Sequence, residues 1–273
     1  MSISLTFPAG GVLVAGGTGK IGHGVVEGFA RAGLPVLFTY LGGGGRDSEN
    51  KAHLLTERLT ANGWRVRGRR MDMRRSEEIE AALDELEGWA GRVHTVVATA
   101  GALVPFAKTA DYAPDELETY IQGDGLAYFR LFRGAVQRMR KTGGGSIACT
   151  TTIGVGRLAR YNGASGMSKA LVEAMMRHIA VEEAPSIRSN YIRIGFVGPN
   201  SFADHPDWVE PPVSDPKTRA EMLHSIVHSH VVGIPMGRPG SLREIGDVFA
   251  FLASDQASYL TGQCLQMDGG EDR

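Results

Sequence analysis

A glycine-rich run, Gly16-Gly17-Thr18-Gly19-Lys20-Ile21-Gly22, closes an apolar stretch (Val12 to Ala15) and opens a helical pattern. Glycines at 16, 19 and 22 allow a tight turn and close backbone approach, and a helix start presents N–H groups to a pyrophosphate. The run is not a Walker loop, because Lys20 is not followed by the Ser or Thr that such a loop requires. The next apolar run ends at Tyr40, where an acid would bind a ribose 2′-hydroxyl and favour NAD; no acid follows until Asp47. Lys20 and Arg46 could meet a 2′-phosphate instead, so the pattern favours NADP with NAD possible, although Arg46 also reads as a solvated loop charge. His224, His228 and His230 have a spacing that can share a helix face and bind a metal. No carboxylate or Cys completes the set, so no metal is expected; the histidines read as solvated residues, or one as a substrate-facing proton donor. Cys149 ends an apolar run and reads as a small core filler.

The elements that must position these groups alternate regularly. Apolar runs at Gly11–Gly17, Val36–Tyr40, Val66–Met71, Val93–Thr99, Ser146–Thr151, Ser189–Ile194 and Gln263–Met267 predict strands. Helical patterns are expected after Gly19, at about Asn50–Asn62, Ser76–Trp89, within Asp115–Lys141, and over Ser165–Glu183. Continuous rather than alternating apolar strands imply a sheet covered on both faces, hence a parallel one. The expected fold is α/β: a doubly wound, Rossmann-type parallel sheet in a single domain over residues 1–273. Pro199–Pro239 breaks the rhythm with Pro, His and Asp around one expected helix at Lys217–Val232, and reads as a substrate lid.

Composition narrows the classes. Of 273 residues, 42% are hydrophobic and 22% charged, enough for a full core. Lys plus Arg (29) nearly balances Asp plus Glu (30), which argues against nucleic acid or an anionic membrane as a partner. Two cysteines make no disulfide framework or thiolate metal cage. No apolar run is long enough to span a membrane, and the first residues lack a secretory pattern, so a soluble, cytoplasmic protein is expected. Glycine, at 37 residues, falls at the ends of apolar runs, as many tight strand-to-helix turns require.

The order of elements, the glycine turn, Asp72 after the third strand, Ala100-Gly101 after the fourth and Ser168-Lys169 on the long helix resemble the short-chain dehydrogenase/reductase family. So does the tail from Gly237-Arg-Pro-Gly through Leu-Ala-Ser-Asp and Tyr-Leu-Thr-Gly to Asp268-Gly-Gly270. The likeness runs from about residue 10 to 270 and is greatest to the ketoacyl-carrier-protein-reductase type. It implies hydride exchange between NAD(P) and a small carbonyl or alcohol, and a homo-oligomer, tetramer or dimer. Carried over by position, it assigns the cofactor to Gly16, Thr18, Gly19, Lys20, Ile21, Gly22, Tyr40, Asp72, Met73, Ala100, Gly101, Lys169, Gly195 and Val197. Asp72 would take the adenine-contacting role and Lys169 would hold the nicotinamide ribose.

The catalytic positions depart from the family's pattern. Its middle glycine is Lys20, its Asn-Asn-Ala-Gly turn is Ala98-Thr99-Ala100-Gly101, its Asn is Asp124, its Ser is Thr152, and its Pro-Gly is Ile194-Gly195. Its Tyr, four residues before Lys169, is Ser165, whose oxygen stops roughly 4 Å short of a phenol's and is a far weaker acid. A water held by Thr152, Ser165 and Lys169 could donate the proton. Tyr161 could also do so, sharing a helix face with Ser165 if the helix extends that far. Asp124 near Lys169 would keep the amine charged and raise its pKa, opposing its use as a base. Two functions therefore stand: a hydride-transferring oxidoreductase, or a cofactor-binding protein without redox chemistry, such as a sensor, a partner subunit, a lyase or an isomerase.

Overall fold

The computed structural model describes residues 4–42, 47–101, 107–158, 160–198 and 234–272, together with Lys217. Seven strands form one all-parallel sheet: β1 (Gly11–Ala15), β2 (Val36–Tyr40), β3 (Val66–Arg70), β4 (Val93–Ala98), β5 (Gly145–Thr152), β6 (Ile187–Ile194) and β7 (Cys264–Met267). Their spatial order is β3-β2-β1-β4-β5-β6-β7. Order reverses between β1 and β4, and the crevice beyond the carboxyl ends of these two strands is where an open α/β sheet binds its ligand. All of β1 and β4 is buried, because helices cover both faces.

One face carries α1 (Lys20–Arg31), α2 (Ser48–Thr60) and α7 (Leu242–Ala253), packed through Val25, Phe29, Leu55, Leu59, Ile245 and Phe249. The other carries α3 (Ser76–Ala90), α5 (Ala127–Met139) and α6 (Gly163–Glu182), packed through Leu83, Leu86, Leu131, Phe132, Val172 and Met176. The short α4 (Pro114–Tyr120) leads into a π turn, Ile121–Leu126, before α5 begins. A π turn shifts the helical register, which re-aims the side chains it holds. The helical region expected around Asp115–Lys141 is thus α4, the π turn and α5 in succession, with Gln122-Gly-Asp124-Gly inside the π turn.

Helix α7 was not anticipated by the run of apolar segments, although its start is well marked. Ser241 Oγ accepts from the Glu244 N–H at 3.2 Å, while the Glu244 carboxylate accepts from the Ser241 N–H at 2.8 Å. Arg238 beside it, helped by these Ser241 bonds, holds the Glu244 carboxyl down at about 2. This helix crosses α1 at van der Waals range because both carry glycine there: a Cβ on Gly246 would lie 2.2 Å from the Gly24 carbonyl oxygen. Other element ends move by a residue or two from expectation. Arg46, the three lid histidines and the expected lid, apart from Lys217 and residues 234–239, lie outside the described residues.

Candidate active site

The glycine turn is built by close approach. Gly16 has φ +86°, a left-handed conformation that favours glycine, and its N–H and that of Gly17 donate to the Thr39 carbonyl at 3.0 and 2.9 Å. A Cβ on Gly22 would fall 2.1 Å from the Gly16 oxygen, so the first turn of α1 can lie on the strand end only with glycine there. Gly19 is the N-cap and supplies no side-chain cap, and the first turn of α1 has no acid. That N-terminus faces the crevice with its dipole suited to an anion.

Lys20 does not point where its sequence position suggests. Its Nζ donates to the Val197 carbonyl and lies 5.8 Å from the centre of the Phe196 ring, on the β6 side of the crevice. The expected contact with a 2′-group at the end of β2 is therefore not the conformation observed, because the stem is drawn to that carbonyl. The cation nearest Tyr40 in the register is Arg70, the residue opposite it on β3, whose Nε donates to the Leu41 carbonyl at 3.3 Å. Asp72 is engaged by Arg74, whose Nε and Nη2 donate to its two oxygens at 2.9 and 2.6 Å. The hydrogen bonds from Arg74 lower the Asp72 pKa. Met73 packs on the core of α3 and α5. Gly195 lies against Asp268, where a Cβ would meet the Asp268 Cα at 2.8 Å, and Val197 is buried beside Gly240.

The β4 end brings the two halves together. Thr99 Oγ1 donates to the Ala15 carbonyl at 2.9 Å, and a Cβ on Gly16 would meet Ala100 N at 2.7 Å. Gly101 faces Asp124, which the π turn directs inward; Asp124 is 2% exposed and its Oδ2 is 3.3 Å from Lys169 Nζ. Ser168 Oγ donates to the same oxygen at 3.2 Å. Burial pulls the Lys169 pKa down, but the Tyr128 oxygen and the Asp124 carboxylate outweigh it and the net direction is upward.

Thr152, at the end of β5, accepts from the Gly154 N–H at 3.1 Å and is half-buried, as is Ser165 on the first turn of α6. Tyr161 corrects the shared-face expectation. Helix α6 starts only at Gly163, and Tyr161 sits before it in the left-handed region with φ +65°. Its carbonyl accepts from the Ala107 N–H at 3.1 Å.

Two groups were missed by sequence reasoning. Tyr128, on α5, donates its hydroxyl to the Ala100 carbonyl and receives a hydrogen bond from Lys169 Nζ at 3.4 Å. No local signal marks it, because it lies in an apolar run that packs as core. Glu173 on α6 accepts from Arg193 Nε and Nη2 on β6, at 2.9 and 2.7 Å, and from the Thr151 hydroxyl on β5 at 2.9 Å. Among the described residues no three His, Cys, Asp or Glu side chains are placed to hold a metal, and no helix is long and apolar enough to cross a membrane.

A family model described as Enoyl-(Acyl carrier protein) reductase, of the short-chain dehydrogenase/reductase type, matches residues 16–271. The chain belongs to the short-chain dehydrogenase/reductase family. Like its relatives, this short-chain dehydrogenase/reductase is an NAD(P)-dependent oxidoreductase by family. It is 28% identical over 266 residues to the 3-oxoacyl-[acyl-carrier-protein] reductase FabG of Escherichia coli, covering 94% of this chain and 95% of that one. It is 27% identical over 262 residues to the 3alpha-hydroxysteroid dehydrogenase of Mediterraneibacter gnavus, covering 94% of each. Among solved structures it is similar to a short-chain type dehydrogenase/reductase from Mycobacterium ulcerans. That pair gives a TM-score of 0.81 at 27% identity, over 98% of this chain and 91% of the other. The NADPH-dependent 3-quinuclidinone reductase of Rhodotorula rubra gives 0.78 at 25% identity, over 98% and 93%.

Proposed function

We propose that this short-chain dehydrogenase/reductase exchanges a hydride with the carbonyl or alcohol of a small molecule, using NADP(H) and also admitting NAD(H). The observation that carries the reading is the convergence of the glycine turn, the β4 end and Lys169 on one crevice at the sheet's switch point. The cradle fits a dinucleotide: Gly16 and Gly22 let the start of α1 lie directly on the strand ends, and its N-terminal N–H groups carry no side-chain cap. The bound nucleotide supplies the hydride. Gly16, Thr18, Gly19, Ile21 and Gly22 would hold its phosphates, Tyr40, Asp72 and Met73 would border its adenosine half, and Ala100, Gly101, Lys169, Gly195 and Val197 would border its nicotinamide half.

NADP is favoured because no acid stands at the end of β2, whereas Arg70 does stand there. The NADPH dependence in the name of the quinuclidinone reductase supports the same choice. Thr152 Oγ1 polarises the substrate oxygen. With Ser165 in place of a phenol, a water held between Thr152, Ser165 and Lys169 delivers the proton. The named relatives above are dehydrogenases or reductases, so they lend no support to a cofactor-binding protein without redox chemistry. A homo-oligomer, tetramer or dimer, is part of this proposal.

The test is isotopic. With NADPH deuterated at C4 and a panel of ketones, deuterium should appear at the carbinol carbon of the product. Tight NADPH binding with no transfer across a broad panel would overturn hydride exchange.

A further inference from the structure

We propose that Tyr128 is a positioning residue that clamps the Lys169 amine against the turn following β4, with its ring beneath the amine and its hydroxyl joining the amine to the Ala100 carbonyl. Three contacts carry this. The Lys169 Nζ lies 4.5 Å from the centre of the Tyr128 ring, donates to its hydroxyl oxygen at 3.4 Å, and that hydroxyl donates in turn to Ala100. A cation over an aromatic face is attracted by the ring's negative face, and more so in a dry site than in water. The ring cannot swing away, because Phe132 meets it edge-on at 6.1 Å and Tyr128 is wholly buried.

The groups that face the amine are Tyr128 from α5, Asp124 from the π turn and Cys149 from β5. Ser168, its neighbour on α6, satisfies Asp124 rather than Lys169. Burial pushes the Tyr128 phenol up to about 12, so it stays a neutral hydroxyl that can accept from the ammonium and donate to the carbonyl at once. Being out of reach of solvent, it does not itself give a proton to substrate. The clamp fixes the height of Lys169 relative to Ala100-Gly101, and thus where a nicotinamide ribose can meet the amine. That last consequence rests on the function proposed above.

The experiment has two readouts on full-length protein. In ¹³C-lysine-labelled protein, with Lys169 assigned from its loss in Lys169→Arg, the wild-type Lys169 methylene signals should be shifted upfield by the ring. In Tyr128→Phe that upfield shift should persist while the amine titrates at lower pH, and in Tyr128→Leu the upfield shift should vanish. Lys169 signals coincident with those of exposed lysines, or one titration curve shared by wild type and Tyr128→Phe, overturns the clamp without need of any variant's activity. Calorimetry then separates the halves of the cofactor. Tyr128→Phe should weaken NADPH roughly tenfold, one charge-assisted hydrogen bond's worth, and leave 2′,5′-ADP unchanged. Equal weakening of both, or of neither, counts against the clamp. Failure of wild type to bind NADPH while the lysine signals behave as expected would sink the proposed function and leave the clamp standing.

Discussion

Lys169 and Asp124 form an ion pair at side-chain exposures of 10% and 2%, so each is the other's main counter-charge. Removing one strands the other, which in such sites costs about 3–5 kcal/mol. Lys169→Met should lose stability by that amount in urea unfolding, and Asp124→Asn added to it should recover most of the loss. Ser165→Tyr tests the missing acid from the other direction. A phenol placed within reach of Lys169 should raise kcat/KM by on the order of 100-fold, the usual gain from a positioned proton donor; an unchanged rate in steady-state assays would show that proton delivery does not limit. How much of this was legible varies by residue. The glycine turn stood out from its own spacing between strand and helix, and Asp124 and Lys169 stood out through the family resemblance. Tyr128 did not, since it sits with Leu131, Phe132 and Ala135 in a run that reads as core. The side chain does pack as core; only the fold brings its hydroxyl to an amine on another helix. Arg70 was equally hidden, because nothing local says which residue of β3 pairs with Tyr40.

Elements were easier to read than contacts between them. Buried parallel strands announce themselves as unbroken apolar runs, as Val12–Ala15 of β1 and Val36–Phe38 of β2 do; the edge strands β3, with exposed arginines, and β7, with exposed Cys264 and Gln266, give a much weaker signal. Helix α7 escaped although Leu242, Ile245, Phe249 and Leu252 have helical spacing behind a capping box. Its partner surface is what no local pattern reveals. Gly246→Ala should drive a methyl into the Gly24 carbonyl and cost roughly 2–3 kcal/mol, read as a lowered melting temperature. Glu173→Ala should cost about 3–5 kcal/mol, because Arg193 on β6, with a side chain 21% exposed, is left without its counter-charge. That pair ties α6, which carries Lys169, to the strand behind it, so NADPH affinity should fall together with stability.

Across the whole molecule, His94 makes folding sensitive to acid. It is 3% exposed near the N-terminal end of the central strand β4, and burial, with Arg92 and Arg188 nearby, lowers its pKa to about 4. The native state keeps it neutral while the unfolded chain protonates near 6.5, so its contribution is intact above that pH and is lost as pH falls toward 4. At about 1.36 kcal/mol per pH unit between those midpoints, the loss reaches about 3 kcal/mol. Urea midpoints from pH 7.5 down to about 4 should show wild type declining more than His94→Gln by that amount; parallel curves would exclude the effect. The crossing of α1 with α7 reaches further than any single titration. Because the helix that opens at the glycine turn is seated on Leu242–Ala253, far along the chain, a ribosome must pass that segment before the seat exists. Nucleotide would then find no settled cradle on a shorter nascent chain, and NADPH added during synthesis should protect from a protease only chains that already carry Leu242–Ala253.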